Sequence, residues 1–422
     1  MARFPLAVSW PHEMSTSEGE VTAEDGYLWL NSVIDWPVRQ TAGTAAIESI
    51  ELRGSSDRGP FYLLGMPIVV NGIRRLRIDD LRIGSGDPDE LLISATPFYD
   101  YANAVVRYYT RDGAARFPND PLDLPALDGA AAMSLVYAPR ADGFPIELRC
   151  KGGASIEQFE TQLDALQRLI TFAVQQPSTR HLLTVQNGAG TEIEVYRGVT
   201  VTPRPAESAD YRDFPLRLSR ANTQTIVDRW WAMMEDLRPI PQIMTGLKYQ
   251  PGYLDSDFFL LATVLDRLSD AWTNVPGLLS EEQYEGMKET ASQLIVPEQF
   301  KIDNRPVFHA RIVALLDTLS DEVWEKVRID RDSWLASMKR HRNLVAHSSE
   351  QRQAHREFMT GPGLRALRAA TDVIVTLVVA QHLGVEGDAL VFAADRLNVN
   401  RIKVHETYIL AFNNNGIEHP RR

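Results

Sequence analysis

A chain of 422 residues with 44% hydrophobic and 24% charged residues is too long for one comfortable core and too apolar for a disordered polymer, so two or three globular domains are expected. A formal net charge of −12 excludes a generally basic surface for blanket nucleic-acid binding, though not a local basic patch. The single cysteine, Cys150, excludes an internal disulfide and a cysteine-based zinc site, and it fits a reducing, cytoplasmic compartment.

The N-terminal stretch MARFPLAVSWPHEM is apolar only briefly, is broken by Pro5 and Pro11, and lacks the layout of a cleavable signal. A β-rich texture follows. Segments 46–53, 61–70, 74–84, 90–98, 103–110, 131–138 and 145–151 alternate or are β-branched, with Gly, Asp or Pro between them. Strands at this spacing predict a sandwich or a strongly curved sheet. One helix interrupts them: in 155–176, Phe159, Leu163, Leu166, Leu169, Ile170 and Ala173 share a face, and Ser155 is an N-cap with a Gln three residues on. Strands at 181–186 and 192–199 close this half. The polar, proline-rich 202–215 marks a boundary.

The second half reads as helices at 222–237, 255–272, 280–295, 305–319, about 330–347 and 363–384, a bundle of five or six. In 255–272 the stripe is Phe258, Leu261, Ala262, Leu265, Leu268 and Trp272, capped by Asp255 or Ser256. The run VIVTLVVA (373–380) is too short to span a bilayer and suits a bundle centre or a dimer contact, so no membrane partner is expected. The expected organisation is α+β: a β-rich domain over 1–204, a linker over 205–221, a helical bundle over 222–385 and a C-terminal extension over 386–422, whose residues 396–422 mix short extended and loop signals.

The stretch KRHRNLVAHSSE (339–350) is the informative one. Trp334, Leu335, Met338 and Val345 trace a core-facing stripe, yet the positions between them, 341 and 342, carry His341 and Arg342. A buried unpaired charge is costly, so Arg342 must be paired or face a cleft. A guanidinium binds two phosphate oxygens at once, and an imidazole such as His347 transfers protons near neutral pH. The alternatives are an ion pair of Arg342 with a bundle carboxylate such as Asp266, and a helix C-terminal role for His347. From Lys339 to Arg368 seven basic residues face only Glu350 and Glu357, a basic island in an acidic chain.

RNLVAH, Arg342 to His347, resembles the R-N-x-x-x-H signature of the HEPN superfamily of helical domains, many of which are RNases. FFLLATVLDRL, with Asp266, resembles that family's upstream helix, where the usual acid is Glu. The β-rich region followed by this bundle resembles the Apea-like HEPN proteins of bacterial antiviral defence. The resemblance implies a metal-independent, cofactor-free endoribonuclease acting on RNA as a homodimer, the motifs meeting at a shared cleft. Arg342 would hold the scissile phosphate and His347 would move the proton for 2′-OH attack, leaving a cyclic phosphate. Asn343, four residues before His347, would orient the imidazole. Asp266 and His341 are support candidates, and Lys339, Arg340, Arg352 and Arg356 are RNA-binding candidates. The N-terminal domain would restrain the nuclease until a phage-derived trigger binds. Two rivals stand: a non-catalytic HEPN-like module that binds RNA, a nucleotide or a partner, and a ligand-binding β domain using Tyr99, Tyr101, Tyr108 and Tyr109. The turns NGAGTE (187–192) and GSGDPDE (84–90, with Asp87 and Asp89) are hairpin or surface turns rather than phosphate or cation sites.

Overall fold

A computed structural model describes residues 4–9, 17–24, 27–32, 50–56, 59–70, 73–84, 101–108, 120–137, 145–178, 180–186, 192–197, 214–218, 222–249, 251–293, 304, 306–346 and 361–402. The chain is mixed α+β, with an N-terminal β region and C-terminal helices. It divides into two compact units, one of 1–171, 177–211 and 218–231, the other of 172–176, 212–217 and 232–422.

Among the described residues the first unit holds twelve strands: β1 Phe4–Ser9, β2 Ser17–Glu24, β3 Tyr27–Ser32, β4 Ile50–Ser56, β5 Gly59–Val70, β6 Ile73–Gly84, β7 Tyr101–Tyr108, β8 Leu122–Leu124, β9 Met133–Tyr137, β10 Pro145–Ala154, β11 Arg180–Gln186 and β12 Glu192–Arg197. All lie in one antiparallel sheet of order β3-β2-β1-β4-β5-β6-β12-β11-β7-β10-β9-β8, and β3 also pairs with β6. The first six strands therefore close into a ring, and the other six run on from β6 as an open sheet. β6 makes this branching possible. Along one edge it pairs with β5 throughout, while its other edge pairs residues 76–78 with β3 and residues 80–84 with β12. The switch falls at a bulge: Leu64 faces Asp80 and Gly65 faces Ile78, so Asp79 is the extra residue that bends the strand. Gly65 is required opposite it, because a Cβ there would meet the Arg77 carbonyl at 2.6 Å. The expected curved sheet is thus a ring plus an extension, with no second stacked sheet among the described residues. Segment 90–98 lies outside them.

Helix α1, Ile156–Val174, buries the face read from sequence, its six predicted residues all at most 1% exposed. The expected capping box is present: the Gln158 amide N–H donates to Ser155 Oγ and the Ser155 N–H to Gln158 Oε1. Buried Gln162 satisfies its amide fully, donating to the carbonyls of Pro125 and Ala131 and accepting from Trp231 Nε1. Trp230 Nε1 donates to the Ala165 carbonyl. The adjacent tryptophans of helix α2, Thr223–Asp236, are therefore packing residues against α1. Gln224, also on α2, lays its amide along edge strand β8, accepting from the Asp123 N–H and donating to its carbonyl. The side chain thus occupies a strand edge that another chain would otherwise pair with.

The second unit continues with α3 Ile240–Tyr249, α4 Leu254–Trp272, α5 Glu281–Gln293, α6 Phe308–Leu316, α7 Asp321–Val327, α8 Arg331–Ala346, α9 Pro362–His382, α10 Asp388–Leu397 and a π-helical turn, Asn398–Ile402. α9 is buried around most of its circumference from Leu364 to Ala380 and packs on α4, α8 and α10. It is the centre of the unit, as its Val- and Leu-rich run suggests. The α4 stripe is buried as expected except Trp272, which is half-buried and stacks on His382 at 3.7 Å. Its expected cap differs. Leu254 opens the helix, and the Asp257 carboxylate reaches back to accept from the Gly252 N–H at 3.0 Å. Residues 388–402 are helical, including 396–402 where the sequence mixes extended and loop signals, and Leu390, Ala393, Ala394 and Leu397 are buried.

A buried ion pair ties α3 to α9. Lys248 Nζ contacts both Asp372 oxygens at 2.7 and 2.6 Å, each side chain 7% exposed. Burial pushes the Lys248 amine below its usual range. Burial alone would raise the Asp372 carboxyl, but Lys248, Arg368 and Arg401 together hold it below the ordinary value. Asp372→Asn strands Lys248 among two further cations and is expected to cost about 3–5 kcal/mol in urea unfolding. Adding Lys248→Met should recover most of that loss. Strictly additive losses would contradict the pairing.

Candidate functional site around Arg342

The residues of α8 sort by angle around one core-facing stripe. Trp334, Leu335, Ser337 and Met338 are buried, and His341 continues them at 5% exposure. Arg342, a further 100° round, is half-buried, and Asn343 is exposed. Lys339 and Arg340 lie on the same exposed face as Asn343, four and three residues earlier, and have no ion-pair partner among the described residues. The interruption of the apolar stripe therefore has two causes. His341 is a core residue, and Arg342 sits at the core margin.

Arg342 is held from two directions. Its Nη2 donates to Asp266 Oδ2 of α4 at 3.1 Å, and its guanidinium carbon lies 4.4 Å from the centre of the Phe308 ring of α6. The other oxygen of Asp266 is taken by Arg311, also of α6, whose Nη2 lies 2.7 Å from Oδ1. Arg311 Nη1 further donates to the Asp266 carbonyl (3.2 Å), Ser269 Oγ (3.3 Å) and Asp270 Oδ1 (3.4 Å). One carboxylate thus bridges two guanidiniums, and α4, α6 and α8 meet at it. Asp270, 3.4 Å from Arg311 at the exposed rim, balances the second arginine, so the two guanidiniums and two carboxylates are neutral together. Chemically Arg342 is a held guanidinium with donors to spare: its Nε and Nη1 make no hydrogen bond to a described residue.

His341 has a different environment. Its Nε2 lies 3.3 Å from Asp255 Oδ1, and its ring stands edge-on to Phe258 with centroids 4.8 Å apart. Neither ring nitrogen makes a well-formed hydrogen bond among the described residues. Burial pushes its pKa below the ordinary value, outweighing the pull of Asp255.

Two sequence-predicted residues far apart in the chain, Arg342 and Asp266, are brought together. His347, Arg352 and Arg356 lie outside the described residues, as do Asp87, Asp89, Tyr99, Tyr109 and the turn 187–191. Sequence reasoning missed Arg311 and Phe308. The signal that singled out Arg342, a guanidinium within an otherwise apolar helix, was equally present in RPVFHARIVALL (305–316). Among the described residues no group of three or more His, Cys, Asp or Glu side chains is placed to hold a metal ion, and no helix is long and apolar enough to cross a membrane. Compared with protein-family models, curated proteins and solved structures, the chain finds no match.

A buried histidine that titrates below its unfolded value of about 6.5 binds its proton more weakly when folded, so the folded state loses stability as pH falls through that range. The unfolding midpoint is expected to drop between pH 7.5 and 5.5, and His341→Phe should flatten that slope. An unchanged slope in His341→Phe would show that His341 does not titrate as buried.

Proposed function

We propose that the chain is a HEPN-type, metal-independent endoribonuclease whose phosphate-binding group is Arg342. The observation that carries this reading is the 3.1 Å contact between Arg342 and Asp266. These residues lie 76 positions apart, and the resemblance matches both, one in RNLVAH and one in the upstream FFLLATVLDRL; the same pairing is what the structural ion-pair alternative expects. The Arg342 donors that meet no described residue, and the exposed row of Lys339, Arg340 and Asn343 beside it, support the same reading. A phosphodiester passing a cationic helix face meets charge first and a fixed fork next, the order that electrostatic binding and then transition-state stabilisation require.

In this reading the ribose 2′-oxygen attacks the adjacent phosphorus and loses its proton to an imidazole, for which His347 is the candidate. Arg342 stabilises the added charge on the phosphoryl oxygens, and the 5′-oxygen of the next nucleotide leaves with a proton given by the protonated His347 of a second copy at the shared cleft. The products are a 2′,3′-cyclic phosphate and a 5′-hydroxyl. Pairing of two copies at a shared cleft, restraint by the β-rich region, a phage-derived trigger and a place in antiviral defence come from the HEPN resemblance. A non-catalytic RNA- or partner-binding module is the second reading. It is favoured by the packing of Arg342 on Phe308 and its bond to Asp266, which suit a structural guanidinium equally well.

Cleavage of RNA in the presence of EDTA separates the two. Arg342→Ala and His347→Ala are each expected to lose about 10²–10⁴ in rate while keeping the wild-type unfolding midpoint within a few degrees. Binding without cleavage by the wild type, or unimpaired cleavage by both variants, would replace this proposal with the second reading or refute the motif.

A further inference from the structure

We infer that Arg311 is the positioning residue of the Arg342 site: by occupying one oxygen of Asp266 it leaves the motif guanidinium charged towards substrate phosphate and fixed in place. The inference rests on the ribonuclease reading and adds to it a residue that the R-N-x-x-x-H motif does not contain.

Arg311 cannot itself reach a substrate. Its side chain is 13% exposed, its Nε is buried, and its two terminal nitrogens are committed to the Asp266 carboxylate, the Asp266 carbonyl, Ser269 Oγ and Asp270. Its effect is therefore on Asp266. A carboxylate facing a single arginine forms a bidentate, charge-neutral pair. Here the two oxygens are divided, Oδ1 to Arg311 at 2.7 Å and Oδ2 to Arg342 at 3.1 Å, so Arg342 holds Asp266 by one bond, the longer of the two. The same helix supplies the surface beneath the motif arginine, since Phe308 lies one turn before Arg311 and under the Arg342 guanidinium. Ser269, buried on α4, donates to the Asp266 carbonyl at 2.8 Å while accepting from Arg311, which fixes Arg311 to the turn that carries Asp266. Without Arg311, both oxygens of Asp266 are free to take the Arg342 fork, neutralising it and drawing it away from bound phosphate.

This predicts suppression, which a merely structural role would not give. Arg311→Met should lower kcat on RNA about 10²-fold, with a smaller change in KM, and lower the salt slope of RNA binding by about one. Arg311→Lys should retain part of the activity. Adding Asp266→Asn to Arg311→Met should restore at least about tenfold of the lost rate, because the competing acceptor is no longer charged. If Arg342→Ala abolishes turnover while Arg311→Met leaves it unchanged, the role of Arg311 is refuted and the ribonuclease reading stands. If Arg311→Met lowers the unfolding midpoint and Asp266→Asn restores nothing, Arg311 only holds the helices together and the inference is likewise wrong. A wild type that binds RNA without cutting it leaves the salt slope as the readout. Arg342→Ala behaving as wild type in both assays overturns the site and this inference together.

Discussion

One carboxylate facing two guanidiniums sets the character of the helical unit. Asp266 stands on α4, and each of its oxygens answers an arginine from a different helix. Removing either arginine would leave a simple ion pair of the kind that contributes little at a half-exposed site. Having both joins three helices at a point, with Asp270 against Arg311 balancing the second arginine. The functional proposal depends on how the Asp266 oxygens are divided, because a guanidinium holding only one of them has donors left to offer a phosphate.

The same economy of charge recurs deeper in the unit. Lys248 and Asp372 are buried in contact, with Arg368 also 3.5 Å from Asp257 and Arg401 donating to the Gln175 carbonyl. Charges placed inside a bundle add little net stability over apolar packing, but they penalise every arrangement that separates them. α9 carries two members of this network on an otherwise apolar surface. Its neighbours α3 and α4 are thereby given one register that satisfies the charges. Asp257 serves twice, as the acceptor for the Gly252 N–H at the start of α4 and as the partner of Arg368.

How much of this was legible in the sequence varied with the physics of each element. α1 and α4 were readable because long amphipathic stripes and, for α1, a reciprocal Ser155–Gln158 cap are local signals. α3 was not, since Pro239 and Pro241 look like breakers although a proline in the first turn costs a helix no hydrogen bond. α7 has seven residues, fewer than two helical turns need to show a period. The closure of the first six strands depends on a bulge at Asp79 and a close approach at Gly65, which are contacts between distant strands and leave no periodic trace. For the site, Arg342 was conspicuous and its partner Asp266 was named, whereas Arg311 was passed over. A lone arginine in a helix resembles a solvated residue until the neighbouring helix supplies its acceptor. His341 shows the reverse: a polar residue beside a motif, which the fold uses for packing against Phe258.

The bond made when RNA is cut is reported directly by the chemistry of the new ends. An oligoribonucleotide is incubated with the protein in EDTA and its fragments are weighed by mass spectrometry, beside a copy carrying a single 2′-deoxy sugar at the cleaved position. The account predicts 2′,3′-cyclic phosphate and 5′-hydroxyl ends, and no cut at the deoxy sugar. Fragments with 5′-phosphate and 3′-hydroxyl ends, or cleavage at the deoxy position, would contradict it, because neither is reachable by attack of a neighbouring 2′-oxygen.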